Sequence, residues 1–371
     1  MSKRAASRLR SWTGGYDPWL LLALALLAAL GMVVLHSAGA ADAQLAWRHG
    51  IRLGVGLALL LAIAQMPLPW LRSVSPWLFL GSIILLLLVA LFGEGRGAQS
   101  WLRLGPLRFQ PSELVKLSLP MMLAWLLHSQ TLPPRLGVVL AALGVAAVPV
   151  LLIAEQPDLG TAVLVAASAG CLIFLAGLSW RWILGLIGTL SVAAPVLWHF
   201  MWEHQRNRIR TFLDPEADPL GHGWNVIQAK IAVGSGGLSG KGYMQGTQSQ
   251  LDFLPEHTTD FAVAVLAEEF GFVGICLLLV LCVLIGVRGA VIANRARDTY
   301  SRLLAGTLAL TFLVYVLVNT AMVAGLVPVV GVPMPFISYG GTSTVTLLTG
   351  FGIILGVNRH QHRRRLRRQA L

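Results

Sequence analysis

The chain has 371 residues, 56% of them hydrophobic and 12% charged. That is about half the charge of an average soluble domain. With a mean hydropathy of +0.72, the chain reads as a polytopic membrane protein, which excludes the soluble fold classes. The net charge of +12 would suit a nucleic acid, but 17 of the 28 basic residues fall near helix ends on one expected membrane side. That pattern is membrane topology, so nucleic acid is excluded as a partner.

Ten apolar runs follow one another, near 19–36, 48–65, 77–92, 112–128, 136–153, 159–177, 181–200, 261–286, 302–325 and 340–357. Each is about 17–25 residues, as a bilayer requires. The expected fold class is an all-α integral membrane protein, with about ten transmembrane helices in a single polytopic domain, 1–371. A large extracytoplasmic loop, 201–260, joins spans 7 and 8. The basic start (Lys3, Arg4, Arg8, Arg10) leads into a full-length span, so no cleavable signal peptide is expected. An even span count puts both termini on one side. The basic start and the tail RHQHRRRLRR make that side cytoplasmic. The 201–260 loop then faces out, where no nucleotide pool exists. No internal repeat marks an inverted-repeat transporter. Pro120, Pro149, Pro195 and Pro328 interrupt or end helices and open cavities between them. Cys171, Cys276 and Cys282 lie inside apolar runs and read as buried free thiols.

Four polar clusters carry candidate chemistry. In the first, Trp101 to Gln110 alternates arginine with Trp, Leu and Phe, which suits an interfacial segment near lipid phosphates. Glu113 and Lys116 follow at i,i+3, just inside an apolar span where charge is expensive. They form an internal ion pair or contact substrate. In the second, Glu155-Gln156-Pro157-Asp158 makes a tight turn, and Asp158 caps the sixth helix or serves as a metal ligand or base.

The third cluster is the loop itself. Asp214-Pro-Glu-Ala-Asp218 lacks EF-hand spacing and reads as a turn. The stretch Gly234 to Gly242 around Lys241 fails the Walker pattern, yet its backbone could nest a phosphate or form a flexible turn. Asp260 closes the loop, with Glu256 before it and Glu268 and Glu269 after it. It is either the N-cap of the eighth helix or a partly desolvated carboxylate fit to accept a proton. The fourth cluster, Pro333 to Ser343 with Ser338 at its centre, is a polar, Gly-rich break that lines a cavity or lets helices pack closely.

The stretches QPSELVK, QPDLGTA, RIRTFLDPEADPLGHGWNVIQAKIAVGSGGLSGKG, GTQSQLDFLPEHTTDF, AVLAEEFG and PFISYGGTS together resemble the SEDS (shape, elongation, division, sporulation) family. The run GTQSQLDFLPE favours its elongation branch over its division branch. The resemblance covers nearly the whole chain. It implies a peptidoglycan glycosyltransferase that polymerises lipid II at the outer face of the bacterial inner membrane. It also implies a class B penicillin-binding protein as transpeptidase partner, within the elongation machinery that sets rod shape. Asp260 matches the family's catalytic aspartate. Glu113 and Lys116 match functionally important positions of the fourth helix.

The reaction needs a base for the acceptor sugar hydroxyl and cations for the departing lipid pyrophosphate. Asp260 is the expected base. Arg210, Lys116 and Lys241 are the expected cations, and Asp158 and Ser338 are further expected substrate contacts. A divalent cation, Mg or Mn, is a candidate helper, although no ligand spacing marks a metal site. Two other classes compete: a flippase for lipid II, and a non-catalytic scaffold for the transpeptidase.

Overall fold

The computed structural model describes residues 15–40, 42–93, 100–104, 107–201, 203–217, 222–251 and 253–369. Lys3, Arg4, Arg8 and Arg10, Gly105 and Pro106, Asp218 and Asp252 lie outside them. The fold is predominantly helical. Ten helices of 17 residues or more are present among the described residues: α1 (Pro18–Ala38), α2 (Ala43–Ile63), α3 (Leu68–Phe92), α4 (Pro111–Leu127), α5 (Leu136–Glu155), α6 (Leu159–Leu175), α7 (Trp180–Phe200), α11 (Ala262–Asn294), α12 (Thr299–Val323) and α13 (Ser343–Gln369). Six of them, α1, α2, α3, α5, α11 and α12, are long and apolar enough to cross a membrane.

Local chemistry sets the ends of these helices. Asp17 starts α1 by accepting from Leu20 N at 3.0 Å, with Pro18 in the first turn. Asp42 and Asp298 start α2 and α12 in the same way. Pro120, Pro149 and Pro195 sit inside α4, α5 and α7. Each removes one helical hydrogen bond without ending its helix, which neighbours inside a bundle tolerate. α11 and α12 form the centre of the bundle. α11 packs on α1 and α12, and α12 packs on α4 and α6, while α13 lies along α2. The three cysteines are free, and Cys282 is fully buried.

Three findings depart from the sequence reading. The Arg-rich segment before α4 folds as a two-stranded hairpin, β1 (Leu102–Leu104) and β2 (Leu107–Phe109), with Arg103 opposite Arg108. Its alternating pattern is a strand pattern as much as an interfacial one.

The 201–260 stretch is largely helical. It holds α8 (Glu203–Leu213), a 3-10 turn (Pro215–Ala217), α9 (His222–Ser235) and the short α10 (Thr247–Gln250). Val226, Ala229 and Ala232 of α9 are buried at helical spacing, and α9 packs against α11. An amphipathic period hides easily between long apolar runs.

The helix expected at 261–286 runs on to Asn294 and is broken at Gly271 (φ +63°, ψ −156°). Every residue from Ala262 to Glu269 is buried. The first turns of α11 are thus a short helix enclosed by protein, followed by a long apolar one.

Candidate active site

Asp260 stands two residues before α11, and the site is built around it. The capping reading fails on geometry. Phe261 is the N-cap of α11, and no side chain makes a capping bond there. The Asp260 backbone carbonyl accepts from Asn319 Nδ2 of α12 at 2.9 Å. The same amide donates to Val332 O at 2.6 Å, so one side chain ties the end of the loop to the connection between α12 and α13. The Asp260 carboxylate itself has no hydrogen-bond donor among the described residues. Gly331 runs alongside, and a Cβ placed there would lie 3.5 Å from Asp260 Oδ2.

The electrostatics of Asp260 follow from that placement. Burial pushes its carboxyl up to about 6, the Glu256 carboxylate pushes the same way, and Arg208 opposes both. Asp158 adds a smaller upward push, so it too lies within electrostatic reach. Arg208 of α8 donates from Nη1 to Val329 O at 3.4 Å, which holds its charge beside the same connection. Glu256 is held by Thr259 Oγ1, which donates to its carboxylate.

Asp158 caps α6 by accepting from Thr161 N at 3.1 Å. Its other oxygen accepts from Gln110 Nε2 at 3.0 Å. The capping reading therefore holds, while the same carboxylate still acts on Asp260, Lys116 and Tyr315. The start of α6 reaches this position because Gly160 presses on the connection. A Cβ there would meet Val330 O at 2.0 Å, so only glycine fits.

Glu113 and Lys116 pair at 2.6 Å, both largely buried. The Lys116 ammonium lies 5.4 Å from the centre of the Tyr315 ring. Glu113, Lys116 and Tyr315 line a cavity of about 40 Å³ with Thr311, Thr344 and Phe336, room for about three waters. One end of this cavity is Pro333–Phe336, in the connection that also holds Gly331 and Val332 beside Asp260.

The structure leaves three of the sequence-selected residues elsewhere. Arg210 turns away from Asp260 and pairs with Glu203 at 2.8 Å. Two residues on a helix point about 200° apart, so Arg208 faces the site and Arg210 does not. Lys241 pairs at 2.6 Å with Glu268, which is wholly buried. The glycine-rich nest is also committed: Lys241 N and Gly242 N donate to Glu268 O and Glu269 O, each at 3.0 Å. The stretch docks on the break in α11 and presents no empty anion cradle. Ser338 is buried, and its Oγ accepts from Met334 N at 2.9 Å, closing a turn.

Sequence reasoning missed Arg208, Gln110, Tyr315 and Asn319. It also missed Arg52 of α2, which stacks 4.2 Å from the Tyr339 ring centre and keeps one buried guanidinium nitrogen without a partner among the described residues. Helical phase along 203–213 was the available signal for Arg208. The others gave none, since each is a single polar residue in an apolar span or an ordinary turn. For a metal, no group of three His, Cys, Asp or Glu side chains is brought together among the described residues. A Mg ion here would have to take most of its ligands from substrate phosphates and water.

A model of the FtsW, RodA and SpoVE family, described as cell cycle protein, matches residues 18–363. The chain is 47% identical over 352 residues to peptidoglycan glycosyltransferase MrdB of Escherichia coli (strain K12), covering 94% of this chain and 95% of that protein. It is 35% identical over 366 residues to stage V sporulation protein E of Bacillus subtilis (strain 168), covering 93% and 97%. One solved structure, from work on the structural coordination of polymerization and crosslinking by a peptidoglycan synthase complex, matches at a TM-score of 0.82 and 36% identity, covering 94% and 98%. The crystal structure of the Thermus thermophilus rod shape determining protein RodA matches at 0.71 and 32%, with the same coverage. All the site residues described above fall inside the matched stretch, and the chain belongs to the FtsW/RodA/SpoVE family of cell cycle proteins, the SEDS family.

Proposed function

We propose that this protein is a peptidoglycan glycosyltransferase that polymerises lipid II, with Asp260 as the general base. The observation that carries the reading is the Asp260 carboxylate: half-buried, free of hydrogen-bond donors among the described residues and raised to about 6. A base with its pKa near the working pH combines a populated ionised form with useful basicity. The Asp260 carboxylate takes the proton of the acceptor sugar hydroxyl as that oxygen attacks the anomeric carbon. The glycosidic bond forms while the bond to the pyrophosphate breaks, and the lipid pyrophosphate departs with its electron pair. Arg208 and Lys116 are the cations best placed to offset that charge, in preference to Arg210 and Lys241. A Mg or Mn ion would add charge neutralisation at the pyrophosphate, held mainly by the substrate phosphate oxygens and water so that Asp260 stays free as the base.

The same reading sets the topology. Ten spans place both termini in the cytoplasm and the 201–260 segment outside the inner membrane, where a class B penicillin-binding protein and the elongation machinery meet it. The identity to MrdB and the match to a peptidoglycan synthase complex support it. Incubating the purified protein with labelled lipid II, with and without a class B partner, tests it. Glycan ladders that vanish in Asp260→Asn are expected. Flipping of lipid II in vesicles with no polymer formed would favour a flippase. Dispensable loop carboxylates would favour a scaffold.

A further inference from the structure

A second cavity lies at the opposite end of the bundle. α11 begins beside Asp260 and ends at Asn294, and its long part beyond the break at Gly271 alone spans roughly 35 Å. There, α11, α12, the end of α6 and the segment after α4 enclose a cavity of about 540 Å³, inside the range of about 300–1,000 Å³ typical of small-molecule sites. Small residues, Ala290 and Ala293 of α11 with Gly306 and Ala309 of α12, line its floor, where the two helices approach closely: a Cβ at Gly306 would lie 3.5 Å from Ala293 Cβ.

One lining residue is charged. Arg302 is exposed at the start of α12, and its guanidinium makes no hydrogen bond or ion pair among the described residues. The acid nearest in sequence, Asp298, is engaged as the cap of α12, accepting from Ser301 N at 2.9 Å. Arg135 and Arg297, in the two segments that border the cavity, are exposed as well. In a chain of membrane-spanning helices, a mostly apolar slot that ends in an unpaired guanidinium makes two demands on its occupant. The body must be hydrocarbon and the head must be an anion.

We propose that this cavity binds an anionic glycerophospholipid, with an acyl chain lying along the α11–α12 seam, under Leu132, Pro133 and the end of α6, and the phosphate on Arg302. The inference rests on the membrane-spanning fold and not on the proposed reaction, since the cavity is remote from Asp260. α6, α11 and α12 also carry Asp158, the short helix after Asp260, and Tyr315 with Asn319. A lipid held here therefore braces the same three helices that shape the candidate active site.

The test uses the purified full chain in detergent, titrated with phosphatidylglycerol, phosphatidylcholine or inorganic phosphate. Thermal unfolding and native mass spectrometry read the binding. Phosphatidylglycerol is expected to raise Tm and remain bound, phosphatidylcholine to do so more weakly, and phosphate to do neither. Arg302→Gln should weaken phosphatidylglycerol about fivefold, to the level of phosphatidylcholine, while Arg302→Lys should keep most of the preference. Ala290→Leu fills the slot and should weaken both lipids. Equal binding of the two lipids by the parent protein, an unchanged preference in Arg302→Gln, or full stabilisation by phosphate alone would each overturn the proposal. Arg302 is an exposed position, so its two variants decide the matter even if Ala290→Leu does not fold.

Discussion

At Asp260 the two roles open to a carboxylate before a helix separate cleanly. A cap needs only an oxygen acceptor, which an amide retains, whereas a base needs a carboxylate. With Phe261 at the cap position, Asp260→Asn should leave folding intact and lower polymerisation by about 10²–10⁴-fold, measured on purified variants of matched Tm. Retention of half the parental rate would remove Asp260 as the base. Asp158→Asn should be much milder, because its amide oxygen can still accept from Thr161 N. The pH profile gives an independent test. The base acts ionised, so the rate should fall as pH drops through about 6, rather than near 4 as for an ordinary aspartate. Glu256→Gln removes an upward push and should move that limb to lower pH. Arg208→Gln removes the opposing charge and should move it higher. A limb that ignores both substitutions would belong to another group.

At the scale of elements, two pairs decide how helices serve the site. Glu113 and Lys116 sit one turn apart on α4, and a structural pair should tolerate exchange. Because Lys116 lines the cavity and faces Tyr315, the swapped double variant is expected to stay inactive. A double-mutant cycle on polymerisation rate measures this, and full rescue would return the pair to a purely structural role. The other pair is Lys241–Glu268. Glu268 also accepts from Thr247 N, Thr247 Oγ1 and Gln248 N, at 2.9, 3.0 and 3.2 Å. Removing Glu268 strands the Thr247 and Gln248 donors it satisfies, each unsatisfied buried group costing about 1–3 kcal/mol. Glu268→Ala should therefore lower Tm strongly, with activity falling in step with the folded fraction. Lys241→Ala should be less severe, since Glu268 keeps its other donors. Loss of activity at unchanged Tm in Lys241→Ala would instead place that lysine on the substrate. Gly271→Ala belongs to the same device. Its positive φ and a Cβ only 2.4 Å from Gly240 N leave no room for a side chain, and the loop should detach from α11.

For the whole molecule, the proposed ten-span arrangement makes a test with no kinetics in it. Single cysteines introduced into a background lacking Cys171, Cys276 and Cys282 report sidedness to an impermeant thiol reagent. Positions in 201–260 should label from outside intact cells, and position 297 only after permeabilisation. Labelling of position 297 from outside would break the arrangement. It would also move the lipid cavity at Arg302 to the outer leaflet, leaving its chemistry unchanged.

What was legible in the sequence follows from what is local or repeated. Membrane-length apolar runs, basic helix ends, the i,i+3 spacing of Glu113 and Lys116, and the cap at Asp158 are all read within a turn or a span, because helix geometry fixes them. The motif string carried the family and pointed to Asp260. Tertiary structure alone removed the cap reading at Asp260, through the position of Phe261, and supplied the burial that the proposed base role needs. It also turned Arg208 and not Arg210 toward Asp260, took Lys241 into a pair with Glu268, and brought Asn319 to the Asp260 backbone carbonyl and Gly331 beside its carboxylate, from parts of the chain 59 and 71 residues away. Which charges share a low-dielectric space depends on how helices pack, and a sequence states the charges without stating their neighbours.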